Sequence, residues 1–183
     1  MSRISTPAAI ESAPAAARPL LEAVKAKLGV APNFYRLVAN SPASLEGLIG
    51  LNGALAKGAL DARTRERLAV AIAEFNGCGY CLSAHAYIGK TLVKLDDTEI
   101  GANRDGRSAD PKAEAALRFA LEVARKRGHA SDADLAAVRA AGFGEGEIIE
   151  IIFHVGLNTL TNYINEVADT LVDFPVLETR RVA

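Results

Sequence analysis

The chain has 183 residues, enough for one domain with a sizeable core; half of it is hydrophobic, only 5% is aromatic, and there is no tryptophan. This alanine- and leucine-rich balance favours helices over strands, and a formal charge of −1 with a pI near 6.3 excludes the basic field that a nucleic-acid backbone requires. The stretch from Met1 to Arg18 lacks the continuous apolar core of a signal peptide, and no later run is apolar enough to span a bilayer, so neither membrane nor nucleic acid is an expected partner and the expected location is cytoplasmic.

Residues 1–18, rich in Ala, Pro and Ser, read as a flexible N-terminal segment. Pro19 then opens a helix that Gly29 closes, and Pro32 opens a short second one carrying Phe34 and Leu37. Ser41-Pro42 caps and starts a third, with Leu45, Leu48 and Ile49 on one face and Asn52 as a polar interruption before Leu55. The fourth, from about Asp61 to Phe75, has Leu68, Ala71, Ile72 and Phe75 at amphipathic spacing, and its middle, Leu68 to Ala73, is apolar all the way round. Such a helix lies inside a bundle or against another subunit. Asn76-Gly77 breaks it, and the next helix runs from the cysteines to about Leu95.

A short helical piece follows Asp96-Asp97, and Asp110-Pro111 opens a helix that ends at Gly128. Ser131 with Asp134 reads as a capping box, Gly142 to Gly146 as a break, and Glu147 to about Leu171 as a last long helix. No strand alternation is sustained anywhere. The expected fold class is therefore all-α, a single helical bundle over residues 19–175, with a C-terminal tail at 176–183.

Both cysteines fall in Cys78-Gly-Tyr-Cys81-Leu-Ser-Ala-His85. Two thiols three residues apart can close into a disulfide and reopen, and a nearby imidazole can take a proton from one of them. At about 100° per residue, Cys78, Cys81, Leu82, His85 and Ile88 share one stripe, with Cys78 at a helix N-terminus and Cys81 in its first turn. Free amides and the helix dipole there favour a thiolate. Glu66, on the preceding helix, is the candidate to hold and charge His85 if the two helices pack antiparallel, with a bridging water to close any gap. The competing readings are inert buried thiols, or a zinc site that would need His154 or Glu66 as its fourth ligand. No metal or other cofactor is expected. His129 reads as an exposed helix-end residue, and His154, among Ile151, Ile152, Val155 and Leu157, as a core histidine.

Glu66, Cys78, Cys81 and His85 match a pattern of glutamate, eleven residues, then C-x-x-C-x-x-x-H, which resembles the alkylhydroperoxidase D and carboxymuconolactone decarboxylase superfamily. Leu28 to Phe34, Ser41-Pro42, Arg63 to Arg67, Asn76 to Cys81, Gly142 to Glu150 and Leu157 to Tyr163 resemble its peroxidase-related branch, so the likeness spans about Leu21 to Pro175. The resemblance implies an all-helical, homo-oligomeric fold (trimer or hexamer). It implies Cys81 as the peroxidatic thiol, Cys78 as proton donor and resolving thiol, and His85 and Glu66 as the proton relay. A peroxide would be the substrate and a dithiol or lipoyl-type molecule the reductant. The chain departs from the best-known peroxidase at Tyr80, where that enzyme has a histidine. A phenol titrates near 10 and is a poor base at neutral pH. The paired cysteines favour a thiol peroxidase over lactone decarboxylation. The rivals are general dithiol–disulfide exchange and a non-enzymatic redox sensor.

Overall fold

The segments marked off by proline and glycine are helical in the computed structural model, which describes residues 2–180. Among the described residues nine α-helices run in the order α1 (Arg18–Leu28), α2 (Asn33–Val38), α3 (Pro42–Leu55), α4 (Ala62–Phe75), α5 (Gly79–Thr91), α6 (Asp97–Arg104), α7 (Pro111–Arg125), α8 (Asp132–Ala140) and α9 (Glu145–Ala168). There is no strand among the described residues. The all-α class expected from composition is the one found.

Side-chain caps satisfy the free amides at most helix starts. Ser41 accepts from Ser44 N, Asp61 from Thr64 N, Asp96 from Glu99 N, and Ser131 forms the capping box with Asp134. Gly29 closes α1 at φ 80°, a left-handed conformation that costs glycine nothing. Two ends fall short of the sequence reading. The cysteine helix stops at Thr91 rather than near Leu95, because the chain turns at Lys94 (φ 58°) and Leu95 N bonds back to Gly89 O. The last helix ends at Ala168, because Asp169 is left-handed and Thr170 N reaches back to Asn165 O.

The central helix is α4, which packs on α5, α6, α7 and α9. Leu68 to Ala73 are all within 3% of full burial in this one chain, so the all-round apolar run is explained by the bundle and needs no second subunit. One face, Val70 and Ala73, joins a core made with α1, α2, α3 and α5. The other, Leu68, Ala71 and Ile72, joins a second core with α7, α8 and the first half of α9. Each fully buried Leu or Ile here contributes about 2–3 kcal/mol. Two buried ion pairs brace α6 against α4: Arg67 with Glu99 at 2.8 Å, and Arg104 with Glu74 at 2.6 Å.

The chain is packed on both flanks of the bundle. Within residues 1–18, the expected flexible segment, two 3-10 turns (Ile10–Ser12 and Ala15–Ala17) place Ile10, Ala13 and Ala17 in the first core. Past Pro175, Leu177 N donates to Ser83 Oγ at 3.0 Å, Arg104 donates to Glu178 O at 2.7 Å, and Arg180 N donates to Glu74 Oε1 at 2.8 Å. The rest of the expected tail, residues 181–183, lies outside the described residues. No described helix is long and apolar enough to cross a membrane.

Candidate active site

The α4–α5 turn sets the thiols. Gly77 takes φ 71°, letting Cys78 N bond to Ala73 O (2.9 Å) and the chain reverse within two residues. Cys78 becomes the N-cap of α5, where its Sγ accepts from Cys81 N at 3.4 Å. A thiol thus stands where a hydroxyl or carboxylate usually caps. Both cysteines are free and buried.

The surroundings give the two sulfurs opposite characters. Cys81 is drawn down to about 7, first by the hydrogen bond from the Cys78 thiol. Burial opposes this, but the His85 charge and the amides of Asn162 and Asn165 act with Cys78 to favour the thiolate. Cys78 is pushed strongly up, because its proton is held against Cys81 and because burial and the Cys81 charge both disfavour a second anion. One proton is therefore shared unequally, with negative charge favoured on Cys81 over Cys78.

His85 meets Glu66 directly. Its Nδ1 lies 2.8 Å from Glu66 Oε2, so the antiparallel packing leaves no gap for a bridging water. Burial pulls the imidazole down, yet the Glu66 charge and hydrogen bond, together with Cys81, raise it above the usual histidine value. A charge-assisted hydrogen bond of this kind contributes about 1.5–3 kcal/mol. The start of α4 that carries Glu66 is itself fixed by Glu150 of α9, whose carboxylate accepts from Ala59 N (2.9 Å) and Leu60 N (3.0 Å).

Two residues escaped the sequence reading. Asn165 Nδ2 donates to Cys81 Sγ at 3.2 Å, and Asn162, whose Oδ1 accepts from Asn76 Nδ2 at 2.8 Å, also favours the thiolate. The available signal was three asparagines, Asn158, Asn162 and Asn165, on one buried face of an otherwise Ile- and Leu-rich helix. Tyr80 is committed elsewhere: its hydroxyl accepts from Phe34 N (3.1 Å) and donates to Asp173 (2.8 Å), and burial, foremost, pushes its pKa up. It acts as a strut between α2, α5 and the C-terminal segment.

A cavity of about 410 Å³ opens beside the thiolate, lined by Cys81, His85 and Glu66 and walled largely by apolar side chains such as Phe34, Leu48, Ile88, Leu157 and Phe174. His154, expected in the core, is buried and also lines this cavity. His129 is exposed at the end of α7, far along the chain from these groups. Among the described residues no three His, Cys, Asp or Glu side chains converge as a metal-ligand set.

The model of the carboxymuconolactone decarboxylase family matches residues 42–126, the span from α3 through α7 that contains Glu66, Cys78, Cys81 and His85. No curated protein matches the chain. Among solved structures it is similar to the alkylhydroperoxidase AhpD core of a peroxidase-related protein from Ralstonia eutropha JMP134, at 26% identity over 94% of this chain and 92% of that one, with a TM-score of 0.82. A peroxidase-related protein from Silicibacter sp. TM1040 shares 24% identity over 86% and 85%, with a TM-score of 0.77. The debrominase Bmp8, in complex with 2,3,4-tribromopyrrole, shares 20% over 94% of each chain and the same fold at a TM-score of 0.77. Residues 42–126 are thus similar to the carboxymuconolactone decarboxylase family, and the chain shares its fold with alkylhydroperoxidase D-like, peroxidase-related proteins, a likeness that supports a peroxidase-related function and nothing finer.

Proposed function

We propose that this chain is a thiol peroxidase that reduces hydrogen peroxide or organic hydroperoxides through a Cys78–Cys81 disulfide. The observation that carries the reading is the pairing of a Cys81 thiolate, stabilised near neutrality, with a Cys78 thiol on the same helix turn, at the wall of a cavity. The Cys81 thiolate attacks the terminal oxygen of ROOH, the O–O bond breaks, and its electron pair leaves on RO⁻. Cys78 gives RO⁻ its proton, producing ROH and a Cys78 thiolate beside a Cys81 sulfenic acid. The Cys78 thiolate attacks that sulfur and expels hydroxide, which takes the proton held by His85 and leaves as water. Two thiol hydrogens have then become ROH, water and a disulfide, and an external dithiol restores the pair by becoming oxidised itself.

Burial of both sulfurs restricts that dithiol. Cys81 is 4% exposed and Cys78 fully covered, so the flat surface of a folded protein cannot reach them. A small dithiol or one borne on a flexible arm, as in a lipoyl group, fits the approach better than general protein disulfide exchange.

The chain also works as a homo-oligomer. Ile149, Ile152, Phe153, Leu160, Tyr163 and Val167 are exposed and fall on one face of α9, opposite the buried Asn158 and Asn165, a stripe about 27 Å long at 1.5 Å per residue. This stripe, and not the α4 run, is the apolar surface a second copy would cover. Consumption of hydroperoxide over many cycles, in proportion to added dithiol, tests the proposed activity. A single oxidation per chain would leave a sensor instead.

A further inference from the structure

The cavity is too large for its smallest candidate substrate. At about 30 Å³ per water, 410 Å³ has room for roughly a dozen, whereas hydrogen peroxide fills the space of about two. One face of α9 lines it, with His154, Asn158, Thr161 and Asn165 spaced four, three and four residues apart. Asn165 stands at the Cys81 end, at hydrogen-bond distance from the sulfur. His154 lies eleven residues earlier, about 16 Å along the helix axis.

Two residues of that wall, His154 and Asn165, keep a buried polar atom without a partner, and His154 is the one away from the sulfur. It is 5% exposed, and its Nε2 is buried with no hydrogen-bond partner among the described residues. Leaving such a group unsatisfied costs about 1–3 kcal/mol, so a ring in this position calls for a partner from outside the protein. Of the neighbouring polar groups, Asn158 Nδ2 donates to His154 O, Thr161 Oγ1 donates to Asn158 O, and Glu66 holds His85, while Asn165, at the sulfur end, leaves its Oδ1 without a partner. Burial and the nearby Arg65 keep the imidazole neutral, holding it at about 4, so it offers one N–H and one lone pair rather than a charge.

We infer that His154 is a specificity residue, which holds an uncharged hydrogen-bonding group (a hydroxyl or carbonyl) at the far end of an elongated, otherwise apolar substrate whose reacting end meets Cys81. The inference takes the reacting end from the peroxidase reading and adds the recognition of the other end. The apolar walls between, including Leu157 and Ile88, accept the substrate's body.

The test uses the full reduced chain, n-decyl hydroperoxide, its ω-hydroxy counterpart, and the diol that the latter would release. The ratio of kcat/KM for the ω-hydroxy over the plain hydroperoxide is expected to be roughly tenfold in the parent, the size of one neutral hydrogen bond. It should fall to about one in His154→Phe and recover in part in His154→Gln. Binding is read separately and needs no turnover. The chain has three histidines, so the imidazole signals are few, and the one lost in His154→Phe should shift when the diol is added. A shift without any hydroperoxide turnover would sustain the site while sinking the peroxidase reading. No shift with the diol, or an equal preference in parent and His154→Phe, would overturn the role of His154.

Discussion

Glu66 Oε2 and His85 Nδ1 lie 2.8 Å apart, joining the start of α4 to the second turn of α5 across the site. That contact makes the imidazole a cation in waiting beside the Cys81 sulfur. The Glu66→Gln variant keeps size and hydrogen bonding while removing the charge. It should fold, with the pH midpoint of Cys81 raised by about one and hydroperoxide reactivity at pH 7 several-fold lower. In the parent, reactivity should climb through a pH of about 7 as Cys81 ionises and level off above it. Thiolate absorbance and stopped-flow rates on both proteins measure this. An unchanged midpoint would leave Glu66 as a helix-start residue only.

Asn165 should matter through the same sulfur. Its side chain donates to Cys81 Sγ, and a hydrogen bond to a charged group is worth about 1.5–3 kcal/mol. Asn165→Leu fills similar space without the donor, so the thiolate should form at higher pH while the fold persists. Thiol titration with circular dichroism as the fold check separates the two effects.

The division of labour between the thiols is open to chemical trapping. In a Cys78→Ser variant treated with one equivalent of hydroperoxide, a dimedone-type probe should label Cys81. Labelling of Cys78 in a Cys81→Ser variant, and never the reverse, would swap the roles.

Acid should destabilise the chain partly through His154. Its pKa is depressed from the usual 6.5 to about 4 by burial first and then by Arg65, against the opposing pull of Glu150 and Glu66, with His85 adding to the depression. Between those pH values the unfolded chain binds a proton that the native state refuses. Stability is therefore fully present above pH 6.5 and falls as pH drops towards 4, by up to about 3 kcal/mol from this group. Urea midpoints at pH 7.5 and pH 4.5 should differ less in His154→Phe than in the parent.

Replacing Phe153 and Tyr163 by glutamate should break the proposed oligomer. Light scattering at micromolar concentration should give a multiple of 19.2 kDa for the parent and a 19.2 kDa particle for the double variant. A monomeric parent would remove the proposed role of the α9 stripe.

Much of this was legible in the sequence because it depends on local rules. Proline, glycine and capping residues fixed where helices begin, and the Cys78, Cys81 and His85 register follows from residues within two turns. Glu66 was found by assuming an antiparallel hairpin, which two residues of linker nearly force. Asn165 was not found because its contact with Cys81 spans 84 positions and depends on how α9 crosses α5. The cavity, and His154 as part of its wall, were hidden for the same reason: a buried polar residue on an apolar helix looks alike whether it faces packing or a void. The apolar run of α4 was ambiguous in principle, since burial between two cores and burial under a partner subunit require the same residues.

The most direct measurement is a single-turnover balance. Reduced protein is mixed with one equivalent of an organic hydroperoxide, and the alcohol formed and the state of the cysteines are quantified together. The account predicts one alcohol per chain, with the peptide spanning Cys78 and Cys81 lighter by two hydrogens and neither thiol open to alkylation. Unconsumed hydroperoxide with both thiols fully alkylatable would contradict it.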